Sequence, residues 1–110
     1  MSELAAKKST SGNKSIYTWK LKANQIGDFL FGIEFGSSIQ VAGKFNGAVC
    51  QIQGTNNINF QPSKLFTTFE GDFDFTKPLV RQLPVTPLLL RPAIIGGDAA
   101  TEMTIIMVSK

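Results

Sequence analysis

The densest group of chemically useful side chains in this 110-residue chain is Glu70, Asp72 and Asp74, at alternate positions in "EGDFDF". In an extended strand that spacing sends all three carboxylates to one face. With one more oxygen donor from a neighbouring segment, such as the loop holding Asp98, they could ligate a calcium ion. The spacing is not that of an EF-hand. The simpler reading of the same row is a charged strand face that opposes edge-to-edge pairing, with no metal bound. The chain has no histidine, which removes His-based acid–base chemistry, His metal ligands and nucleophilic triads. It has no phosphate-cradling glycine loop of the P-loop or dinucleotide type. Its one cysteine, Cys50, excludes an internal disulfide and a Cys-cluster zinc site. Cys50 lies mid-strand on an inward side without a neighbouring base, as a structural thiol does. These residues predict a protein that is not an enzyme and needs no cofactor.

Nine Phe, one Trp and one Tyr offer the material of a sugar- or base-stacking platform. Most of them alternate with polar residues, the pattern of core-facing rings. Trp19, between Thr18 and Lys20, is the best candidate for an exposed platform, and packing into the core is the competing expectation.

The elements that must carry these groups read as strands. "SIYTWKLKA" puts Tyr17, Trp19 and Leu21 on one face and Thr18, Lys20 and Lys22 on the other. "FLFGIEF" alternates in the same way after the "NQIGD" turn. Ile39 and Val41 share a face, and Ala48, Cys50 and Ile52 share another beyond Asn46-Gly47. That dipeptide predicts a tight hairpin between the two runs. "KLFTTFEGDFDF" sets Phe69, Phe73 and Phe75 against the three acids. Pro78, Pro84, Pro87 and Pro92 confine strands in "KPLVRQLPVTPLLLRPAIIGGDAA" to sheet edges or bulges. "TEMTIIMVSK" is a β-branched strand. No capped helical run occurs. Short strands at turn-limited spacing predict an all-β, antiparallel β-sandwich, jelly-roll-like, over residues 15–110.

Residues 1–14 lack periodicity and read as a flexible N-terminal arm. The stretch has no apolar core of a secretory signal, and no run of apolar residues is long enough for a membrane span. A net charge of +3 is modest, and five of eleven basic residues (Lys7, Lys8, Lys14, Lys20 and Lys22) fall in the first 22 positions. That density predicts neither nucleic-acid nor membrane binding. Only 17% of residues are charged, which points to surface covered by a partner or by another copy of the chain, the alternative being an ordinary polar surface of Thr, Asn, Gln and Ser.

Two segments together carry a resemblance. "SIQVAGKFNGAVCQIQGTNN" (38–57) and "LLLRPAIIGGDAATEMTIIMVSK" (88–110) resemble small tailed-bacteriophage proteins that decorate, or cement, the capsid. The pattern is a strand like "sIQVxGxFxGA", a strand ending at Gly-Ser/Thr-Asn, and "RPxIxGGD" before a closing strand. The chain departs from it at "NNINF", where an Asn-Asp-Gly turn followed by Trp is the expected form.

The resemblance implies a non-enzymatic virion structural protein, made in the host bacterial cytoplasm. It would sit on the capsid outer surface and clamp neighbouring coat subunits. It implies the major capsid protein as partner and a symmetric oligomer, a homotrimer ahead of a dimer. Partner contacts on that reading fall to Lys7, Lys8 and Lys14 of the arm, to Leu88, Leu89 and Leu90, and to Arg91 and Asp98. Leu88–Leu90 is either an exposed docking strip or a buried edge strand, and Arg91 either a partner contact or half of a buried ion pair. The main rival is a carbohydrate- or receptor-binding β-sandwich, such as a phage fibre piece. A single-strand nucleic-acid binder is disfavoured by the acidic "FEGDFDF".

Overall fold

The computed structural model describes residues 3–4, 6–28, 30–31, 37–55, 67–68, 74–82 and 89–109. These form twelve strands: β1 (Glu3–Leu4), β2 (Lys7–Ser11), β3 (Lys14–Lys22), β4 (Ile26–Gly27), β5 (Leu30–Phe31) and β6 (Ser38–Lys44), then β7 (Val49–Thr55), β8 (Thr67–Thr68), β9 (Asp74–Phe75), β10 (Leu79–Gln82), β11 (Leu89–Ile95) and β12 (Glu102–Ser109). One sheet has five strands in the order β10-β6-β12-β3-β2. The other runs β1-β4-β11-β7-β8, with β5 also on β11 and β9 also on β7. All pairings are antiparallel except β1 with β4. The expected all-β sandwich is therefore present.

Period-two alternation drives the packing. Trp19, Leu21, Ile39, Val41, Met103, Ile105 and Met107 line the inner face of the five-stranded sheet. Cys50, Ile52, Phe75, Leu90 and Ile94 face them from the other sheet. All twelve are at most 1% exposed. Each large apolar side chain among them contributes roughly 1.5–3 kcal/mol by leaving water. A one-residue register slip would turn an entire strand's set outward, so this core also fixes the pairing.

Asn46-Gly47 makes the tight turn but not the hairpin. Asn46 and Gly47 have φ of 47° and 85°, and Ala48 N donates to the Phe45 carbonyl at 2.9 Å, as a type I′ turn requires. Yet β6 pairs with β12 and β10, while β7 pairs with β11, β8 and β9. The turn thus carries the chain from one sheet to the other. Each strand pairs along its whole length elsewhere: β6 matches β12, and β7 matches β11, over seven positions each. Turn chemistry is the same for a hairpin and for a corner between sheets.

Two more corners close the same end. Residues 22–25 lead from β3 to β4, with Gln25 N donating to the Lys22 carbonyl, and residues 96–101 lead from β11 to β12. Side chains tie the three together. Asn24 Oδ1 accepts from Gly96 N at 3.0 Å, and Asn46 Nδ2 donates to Asp98 Oδ1 at 3.1 Å. Thr101 Oγ1 donates to the Phe45 carbonyl at 3.2 Å and accepts from Asp98 N at 2.9 Å.

Two further expectations are corrected. The N-terminal residues are not simply an arm: Lys7–Ser11 pairs with β3 from Lys7↔Thr18 to Ser11↔Lys14, a hairpin closed by Gly12-Asn13. All five β2 side chains are exposed, so backbone pairing holds this strand without an apolar face, and periodicity could not reveal it. Pro92 does not confine β11 to an edge. β11 pairs with β7 along its length, and on its other side with β5 through Leu89 and Leu90 and with β4 through Ala93. Pro92 sits at the junction of those two short strands, where its missing N–H interrupts the sheet least.

Candidate functional site

The outer faces of the two sheets differ. On the outer side of β11, Arg91 is 6% exposed and Ala93 is fully buried. On the outer side of the five-stranded sheet the polar positions stay open. There Lys22, Glu102 and Lys44 share one row of neighbouring strands, and Lys20, Thr104 and Ala42 form the next. Lys7, Thr18, Ile106, Gln40 and Val80 form the third, and Ser9, Ile16, Val108, Ser38 and Gln82 the fourth. Lys14 follows Ile16 on the same side of β3.

Apolar residues run across the middle of this face, from Ile16 and Val108 through Ile106 towards Val80 on the edge strand β10, and lysines line its Glu102 end and its β2–β3 side. Ile16, Ile106 and Val108 are half-buried, and Val80 is 59% exposed. Lys7, Lys14, Lys20, Lys22 and Lys44 are all exposed, as is Glu102, the single acid among these rows. Five lysines against one glutamate give the face +4, compared with +3 for the whole chain, so all other residues together sum to −1. The chain's positive charge is concentrated here. No aromatic side chain points outward from these rows. A shallow depression at one end is lined by Gly43, Lys44, Glu102 and Thr104.

Among the candidate partner residues, Lys7 and Lys14 belong to this face. Lys8, next in the chain, is on the opposite side, its ammonium 5.8 Å from the centre of the Tyr17 ring. Leu90 is fully buried in the core and β11 is an interior strand, so neither a docking strip nor an edge strand describes it. Leu88 lies outside the described residues, and Leu89 is placed only by its pairing with Phe31 and Thr55. Arg91 is buried, with Nε donating to Gln53 Oε1 at 2.9 Å; Gln53 Nε2 in turn donates to Gln51 Oε1. Asp98 is at the surface, and its Oδ1 accepts from Asn46 Nδ2 and from Ala100 N. Sequence reasoning missed Lys20, Lys22 and Lys44 as parts of one surface. The alternation on β3 placed the first two outward, but nothing local shows that β12 and β6 lie alongside.

The other chemical candidates are quiet. Trp19 is fully buried and its Nε1 donates to the Asp28 carbonyl at 3.1 Å, so it is not a platform. Burial pushes the Cys50 thiol up to about 12, and the negative charge of Asp74 adds to the shift; such a thiol is inert at neutral pH. Of the three alternating acids, Asp74 is exposed on β9, while Glu70 and Asp72 lie outside the described residues.

The hydrogen bond from Asn46, and then that from Ala100 N, holds the Asp98 carboxyl below its ordinary value. A depressed folded-state pKa stabilises the protein above the unfolded value, about 4, and that stabilisation disappears as pH falls through the lower folded value. Asp98→Asn is therefore expected to lower the melting temperature near neutrality. The difference from wild type should shrink below about pH 4, as thermal melts at several pH values would show.

No family model, no curated protein and no solved structure matches this chain.

Proposed function

We propose that this protein is a non-enzymatic virion structural protein that docks on the outer surface of a phage capsid and clamps neighbouring coat subunits. The observation that carries the reading is the open face of the five-stranded sheet, with apolar residues across its middle and lysines at one end and along one side. A clamp requires a rigid module with one surface left uncovered, and the three-corner end gives the sandwich that rigidity. The resemblance of residues 38–57 and 88–110 to capsid decoration proteins supports the same role.

On this reading the module works as a symmetric oligomer, a homotrimer, placed at a local symmetry axis of the head. Each copy contributes a modest interface, and many copies together resist internal pressure through avidity. The test is sedimentation of the purified protein with heads of the encoding virus that lack it. Saturable binding in a fixed ratio to coat subunits, with heads that release DNA at a higher temperature, is the expected result. Protein that stays in the supernatant at saturating concentration overturns the proposal.

A further inference from the structure

We infer that the outer face of the five-stranded sheet is the docking surface itself, and that its occupant is a protein surface with an apolar centre and an acidic rim. The inference takes from the capsid reading only the name of the partner; the chemistry comes from the face.

Charge selects the occupant first. Lys7, Lys14, Lys20, Lys22 and Lys44 oppose a single acid, Glu102. A second copy meeting this face through the same face would set five lysines against five, so self-association must use other surfaces. Glu102 lies between Lys22 and Lys44 in its row, and its own charge is offset there by two cations. An incoming carboxylate therefore meets net positive potential at the Glu102 end and along the β2–β3 side, while the β10 side offers the uncharged Val80 and Gln82.

The apolar centre then separates a protein from other polyanions. Single-stranded nucleic acid draws affinity from bases stacked on aromatic rings, and the outward rows carry Ile16, Ile106, Val108 and Val80 instead. A phosphate backbone gains nothing from those side chains, whereas an apolar protein patch buries them. The pattern of a dry centre within a charged rim is that of protein–protein interfaces.

Size sets the strength. Five strands spaced about 4.8 Å apart, rising about 3.3 Å per residue, give a footprint on the order of 500 Å². A standard interface buries about 800 Å² on each partner. One copy alone therefore binds weakly and depends on salt, and multivalent display makes the attachment firm.

The test uses the whole chain, isotopically labelled, titrated with a short alternating Leu–Glu peptide and, separately, with oligothymidylate and with phosphatidylserine vesicles. The peptide is expected to shift amides of 14–22, 38–44 and 102–108, and to bind about tenfold more weakly between about 50 and about 300 mM salt. Lys7→Glu/Lys20→Glu should weaken it by about tenfold or more without changing the melting temperature, since both side chains are exposed and face Thr18 and Thr104 across the strands. Ile106→Ser should weaken it about threefold while leaving the salt dependence intact. Shifts centred elsewhere, or tighter binding of oligothymidylate or vesicles, overturn the inference. The double variant on heads separates the two claims. Heads that bind it as well as wild type overturn the docking face and leave the capsid role standing. Wild-type protein that binds the peptide through this face but never binds heads removes the capsid role and leaves the face.

Discussion

Trp19→Ala is expected to remove a large share of the fold's stability. The ring is fully enclosed between the sheets, its indole N–H is committed to the Asp28 carbonyl, and Gly27 packs directly against it. A Cβ built on Gly27 would lie 2.7 Å from Trp19 Cδ1 and 2.8 Å from Pro92 Cγ, so the ring fills its space completely. Removing a ring from such a site costs about 3–5 kcal/mol, against a total stability of roughly 5–15 kcal/mol for a domain. Trp19→Phe keeps most of the buried area and loses the N–H bond, so it should fold with a smaller penalty, about 1–3 kcal/mol. Urea titrations followed by circular dichroism compare the two without needing the tryptophan signal.

Gly43→Ala is the second large effect. Gly43 has φ of 119° inside β6, and an added Cβ would overlap the Glu102 carbonyl oxygen and lie 3.1 Å from Met103 Cα. These neighbours are backbone of the central strand β12, which cannot swing aside as a side chain does. The backbone strain is worth about 1–3 kcal/mol and the overpacking about as much again, so a stability loss of about 2–6 kcal/mol is expected from urea titration. Gly47→Ala is the control. Its φ of 85° is also unfavourable to a side chain, but nothing lies within 4 Å of the added carbon. It should lose only about 1–2 kcal/mol.

Both positions show what could and could not be read from the residues in order. Burial of Trp19, Leu21, Ile39, Val41, Cys50 and Ile52 was legible because period-two alternation is a local signal. The all-β class and the two-layer core follow from it. Partnership between strands was not legible. Asn46-Gly47 has the chemistry of a hairpin turn, and the choice between a hairpin and a corner depends on β11 and β12, more than 40 residues away. β2 escaped notice because an edge strand with every side chain in water has no apolar face to betray it.

The same limit applies to the open face. Lys20 and Lys22 were placed outward by their neighbours Trp19 and Leu21, and Lys44 and Glu102 gave no local cue. They become one surface only through the register Lys22↔Glu102↔Lys44. Leu90, open in sequence between an exposed strip and a buried edge strand, shows the same dependence on pairing. A run of three leucines beside prolines does not by itself choose between those two, and the pairing of β11 on both sides puts Leu90 in the core of an interior strand. Asp98 was singled out for its turn, and its carboxylate serves that turn, bridging two of the three corners that close the sandwich.

Residue-by-residue lysine acylation, comparing free protein with protein bound to heads, tests the central claim most directly. Lys7 and Lys8 are adjacent in sequence and lie on opposite sides of β2, which makes them an internal control. Lys7, Lys14, Lys20, Lys22 and Lys44 are expected to become at least about fivefold less reactive on binding, while Lys8 and Lys77 keep the reactivity they have in the free protein. Bound protein in which Lys20, Lys22 and Lys44 react as in the free state, or in which Lys8 is shielded and Lys7 is not, would contradict that claim.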